Sequence, residues 1–142
     1  MASELAIIDI LRDDATVAGL IGGSGTKARV YPYEMPQKAV YPCVVVSMED
    51  IEPSDTKSGA SALDVEYIKV ECIDIKFKNS AESSGAYHIA EAVRSALDRT
   101  SGTYSAIVCQ SIRFLSKSGY MAEINNNILY IQEQTYKVRV KR

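Results

Sequence analysis

Between Leu63 and Phe77 the chain alternates apolar and charged side chains, Leu-Asp-Val-Glu-Tyr-Ile-Lys-Val-Glu-Cys-Ile-Asp-Ile-Lys-Phe. That is the period of a half-buried β-strand. Val65, Tyr67, Ile73, Ile75 and Phe77 share one face, and Ile68, Val70 and Cys72 share the other. Cys72-Ile73 therefore marks either a bulge or a strand buried on both sides along its middle. At about 3.3 Å per residue, about thirteen residues of such a strand would reach roughly 43 Å. Part of it is expected to project as a hairpin arm or to meet a neighbouring subunit. The period then changes. Asn79-Ser80 offers an N-cap, and Ala86, Ile89, Ala90, Val93, Ala96 and Leu97 recur at helical spacing. Arg99 suits the negative end of that helix, and Gly102 is its expected stop.

Ahead of this unit, Ser3 is a good N-cap for a stripe of Leu5, Ile7, Ile8 and Leu11 running to about Arg12. Asp13-Asp14 breaks or recaps the helix, and Ala15 to Ile21 suggests a second short helical turn before the glycines at 22, 23 and 25. Arg29 to Pro42 holds three of the four prolines, so it is an edge strand or an extended crossing loop. Tyr31, Tyr33 and Tyr41 lie in it, either as an exposed contact surface or as paving at the edge of the core. Cys43 to Glu49 is a strand by its β-branched content.

From Asp50 to Ala62 the residues turn small and polar, which predicts a mobile loop at about 52–62. After the central helix, Thr103–Leu115 reads as a strand, with Val108, Ile112 and Phe114 on one side and Ile107, Cys109 and Leu115 on the other. Turns are expected at Ser116–Gly119 and at Asn125–Asn127. Ile128–Val140 closes the chain as a strand in which Tyr136, Val138 and Val140 alternate with Lys137, Arg139 and Lys141. The fold class expected is α+β: a mostly antiparallel sheet of about four to five strands, with an N-terminal helix and one central helix packed on it, in a single domain over residues 1–142.

Composition changes this picture little. The chain is 142 residues long, 46% apolar and 24% charged, which suits one folded domain and excludes a disordered chain. A net charge of −2 lacks the footprint of a nucleic-acid binder. Residues 1–64 carry ten acids against five bases, and residues 65–142 eight against eleven. That imbalance is either a fluctuation or the mark of a subunit with complementary sides. Cys43, Cys72 and Cys109 each lie in an apolar run, as buried free thiols in a reducing compartment would. The amino end carries no signal-peptide pattern, and no run is long enough for a membrane span.

Candidate chemistry is sparse. Gly23-Ser-Gly25-Thr-Lys-Ala28 fits a dinucleotide spelling, but a helix precedes it and a strand follows, the reverse of what that site needs. Glu49, Asp50, Glu52 and Asp55 lack the alternate spacing of a calcium loop and read as a solvated acidic segment. His88, the only histidine, has no acid or thiol placed beside it by spacing. No GxSxG, HExxH, CxxC or Walker pattern occurs. No catalytic, metal or cofactor site is expected. The basic residues at the carboxyl end suit either phosphate contact or protection of a strand edge.

Three stretches together resemble the tail-completion or tail-terminator proteins of long-tailed bacteriophages. Ile8–Gly22 resembles that family's opening helix and short second turn. Arg29-Val-Tyr-Pro, Pro36 and Pro42-Cys-Val-Val-Val46 resemble its proline- and tyrosine-containing lead into a strand. Val70-Glu-Cys-Ile-Asp74 followed by Ala90–Leu97 resembles its strand-to-helix centre. The carboxyl third, with Asn125–Asn127 and Gln132-Glu-Gln134, departs from it.

The resemblance implies a structural assembly protein without catalysis or cofactor, made in a bacterial cytoplasm and found at the tail–head junction of the virion. It would form a ring, usually of six copies, that caps the tail tube and meets the head-connector proteins, with DNA only passing through the lumen. On that reading Tyr31, Tyr33, Tyr41, Lys137, Arg139 and Lys141 are subunit-interface candidates, and Asp55, Lys57 and Ser58 docking-loop candidates. Another neck or head-completion protein of similar fold is an alternative, as are a small ligand-binding domain or enzyme and a nucleic-acid-binding module using the basic end.

Overall fold

The computed structural model describes residues 3–22, 29–35, 40–56, 59–75, 85–124 and 127–141. In chain order these form α1 (Ser3–Asp13), α2 (Ala15–Ile21), β1 (Val30–Pro32), β2 (Cys43–Thr56), β3 (Gly59–Asp74), α3 (Ala86–Leu97), β4 (Gly102–Tyr104), β5 (Ile107–Ile124) and β6 (Asn127–Lys141). The strands make one sheet in the order β1-β2-β3-β6-β5-β4. The α+β class is as expected, but among the described residues the sheet has six strands, the helices number three, and β1 runs parallel to β2. β1, which falls in the segment expected as an edge strand or crossing loop, and β4 are three residues each, too short to leave a periodic signal.

Alternation decides which face the helices cover. Val44, Val46, Ile68, Val70, Cys72, Tyr136, Val138 and Val140 join the apolar sides of α1, α2 and α3 in the main core. In α3 the expected stripe is the buried one: Ala86, Ile89, Ala90, Val93 and Leu97 are buried, and Ala96 packs against them. Its proposed N-cap at 79–80 lies outside the described residues. The helix stops at Leu97, where the Asp98 N–H bonds the Arg94 carbonyl at 2.9 Å and Arg99 takes a φ of 65°. Gly102 instead opens β4. At the amino end Asp14 caps α2, accepting from the Val17 N–H at 3.0 Å. Ser3 serves α1 differently: its N–H and hydroxyl both donate to Glu66 of β3, at 3.1 and 2.6 Å.

β3 pairs with β6 without interruption from Leu63↔Lys141 to Asp74↔Tyr130. Cys72-Ile73 is thus no bulge in β3. Cys72 faces the main core, and Ile73 faces a second cluster with Cys43, Val45, Leu129 and Ile131 on the helix-free face. The loop expected at about 52–62 is instead hairpin: β2 and β3 stay paired to Thr56↔Gly59, leaving only 57–58 outside the described residues. Small polar side chains do not forbid strand when the partner backbone continues alongside. Of β3, only residues 59–62 reach past the last β6 partner, so the projecting arm is short.

β5 departs most from its pattern. Ile107 and Cys109 are buried, and then Ile112 is, because a bulge between Cys109 and Ser111 shifts the register by one residue. The apolar residues on two parities are therefore one face read across a phase change. A second shift lies between Phe114 and Ser116, and β5 runs on through 116–119, where a turn was expected, to Ile124.

Candidate interaction surface

The helix-free face carries the basic positions predicted from the sequence. Because Tyr136, Val138 and Val140 are buried in the main core, Lys137, Arg139 and Lys141 must point the other way. Across the sheet β5 sets Arg113 directly opposite Lys137 and Ser111 opposite Arg139. Ser111, Arg113, Lys137 and Arg139 line a shallow cleft of about 270 Å³. Lys69, nearby on β3, is engaged by Glu71 at 3.7 Å. Arg113 was missed because it stands between Ile112 and Phe114 in an apolar-looking strand. The bulge at Gln110, which sets its face, has no glycine to signal it.

The tyrosines divide. Tyr31 on β1 and Tyr41 before β2 pack against the second cluster, and burial pushes the Tyr41 hydroxyl pKa up. Tyr33 is 55% exposed and donates its hydroxyl to Glu4 Oε1 at 2.9 Å, a bond that raises its pKa. Its φ is 65°, and its N–H continues the edge pairing by donating to the Val46 carbonyl. The tyrosines and the basic cluster lie on different strands and do not meet. Asp55 lies on β2, and Lys57 and Ser58 fall outside the described residues.

At the far end of β5, Leu115, Tyr120 and Met121 are exposed, as is Ile128 on β6. Gly119, Tyr120, Met121, Tyr130 and Gln132 line a groove of about 330 Å³ there. The Tyr120 hydroxyl donates to Glu71 Oε2 at 2.9 Å, and burial followed by that bond pushes its pKa up to about 12. Between α2 and α3, His88 lines a cleft with Asp14 and Glu91, its Nε2 buried without a partner. Among the described residues no group of three His, Cys, Asp or Glu is arranged to hold a metal. Cys43 and Cys109 are buried thiols, with burial raising their pKa values to about 12 and about 11.

A helix-backed sheet with one broad decorated face defines a small α+β domain whose prominent features are contact surfaces. The chain belongs to the family described as tail completion protein gp17, whose model matches residues 5–121, so it is a phage-tail structural protein by family. Among solved structures, a chain of the virion of a native gene transfer agent particle is 23% identical, covering 99% of this chain and 96% of that one, with a TM-score of 0.75. That likeness shows a shared fold. A search of curated proteins finds no match.

Proposed function

We propose that the chain is a tail terminator: copies close into a ring, usually of six, that caps the finished tail tube and joins it to the head connector, with DNA passing through the lumen. Family membership over residues 5–121 carries this reading. The physical features agree with it. A ring needs two unlike surfaces per subunit, and this sheet has different edges, with exposed acids on β2 and a basic cluster across β5 and β6. The chain then acts as a virion component made in the host cytoplasm, with the tube protein, the connector and its own copies as partners. It works through contact and carries no cofactor.

The test is to inactivate the gene in a particle-producing host and image the lysate. Separate heads and tails, rejoined when the purified chain is added, are expected. Intact particles without the chain would overturn the reading.

A further inference from the structure

The basic cluster is costly to the isolated chain. Arg113 lies directly opposite Lys137 in the β5–β6 ladder, and like charges so placed destabilise a sheet. Arg139 is the next residue on the same face, and Lys141 the one after. Among the described residues none of these four cations has an ion-pair partner. The converse holds on β2. Among the described residues Glu49 and Asp50 are exposed and unpaired by any cation, Asp50 accepting from the Ile51 N–H at 2.8 Å. They stand where no described strand covers the outer side of β2, since β1 pairs with Val44 to Val46.

One copy cannot bring the two clusters together. Asp50 is aligned with Tyr67 on β3 and through it with Lys137 on β6. With strands about 4.8 Å apart, the backbones at Asp50 and Lys137 are roughly 10 Å apart with a tyrosine between them, and the nearer base, Lys69, is engaged by Glu71. The sheet thus bears an acidic end and a basic end fixed in one direction.

We propose that the Arg113–Lys137–Arg139 surface of one copy receives the Glu49–Asp50 edge of a second copy, the same contact repeating head to tail. This rests on the ring reading above and names the faces that would meet. The partner is a copy of this chain because the chain itself supplies an acidic edge matched to the basic one. Duplex DNA is the competing polyanion.

Charge exchange tests it. In about 50 mM salt, Arg113→Glu with Arg139→Glu should weaken self-association about tenfold or more by sedimentation, and Glu49→Lys with Asp50→Lys should do the same. All four changes in one chain should restore the parental assembly, and added salt should weaken parent and fourfold variant alike. The four positions are exposed and their neighbours in the core are untouched, so the circular dichroism spectrum should hold, and relief of the Arg113–Lys137 repulsion should keep the melting temperature from falling. Parental assembly in both reversed pairs would overturn the contact and leave the ring reading standing. Reversed bases that still assemble but no longer retain duplex DNA would assign the surface to nucleic acid and overturn it too. A parent that stays monomeric at every salt and concentration, and is absent as a multimer from particles, would remove the ring reading and this inference with it.

Discussion

Single residues here are asked to do unlike things. Glu66 is fully buried, and Ser3 supplies both its hydroxyl and its N–H to Glu66 Oε1. A hydrogen bond to a buried carboxylate is worth about 1.5–3 kcal/mol, so Ser3→Ala should lower the unfolding free energy by that amount, read as a lower urea midpoint with an unchanged slope. Val93 is likewise fully buried in the helix–sheet seam. Val93→Asp should cost about 3–5 kcal/mol and abolish soluble expression, whereas an unchanged melting temperature would mean the helix face is misassigned. The buried thiols give a pH signature. Folding raises the Cys109 and Cys43 pKa values from 9.0 to about 11 and about 12, so the native state holds these protons longer than the unfolded chain. Their contribution is complete below pH 9 and is lost as pH climbs through 11 to 12. Denaturant midpoints should therefore fall above pH 9, and thiol alkylation at pH 8 should be slow until the chain is unfolded.

At the scale of elements, periodic stretches were legible and irregular ones were not. The stripe of α3 and the two-sided centre of β3 can be read directly, because repeated burial on one side writes itself into residue type. β5 cannot, because its one-residue bulges change the parity of the core face twice and look in sequence like a strand buried on both sides. Arg113 was lost for that reason, and Lys137, Arg139 and Lys141 were found because β6 keeps one phase throughout. In the outer β2–β3 hairpin, paired out to Thr56↔Gly59, the small polar composition points to a loop and is overruled by backbone pairing. The β4–β5 turn is a further case. Ser105 and Ala106 both take positive φ, 49° and 62°, without glycine or asparagine. Ala106→Gly should relieve that strain and stabilise the hairpin by about 0.4–1 kcal/mol, measurable as a higher melting temperature.

For the whole molecule the sheet edges set behaviour. Among the described residues, β5 beyond Phe114 pairs only with β6 and shows Leu115, Tyr120 and Met121 to solvent. An exposed strand edge with apolar side chains invites uncontrolled pairing. Met121→Lys, at a side chain 66% exposed, should reduce light scattering of concentrated protein without changing its melting temperature. The order of the strands carries a further consequence. β6 comes after every other described element in the chain, yet it lies between β3 and β5, pairing with both. As the polypeptide leaves the ribosome, the two halves of the sheet have no strand to pair them until β6 arrives, only the helices that pack on both. Both of its future neighbours wait as open edges. Closure of the core waits on this strand, and a chain released short of β6 is left with two unfinished sheets for chaperones and proteases to find.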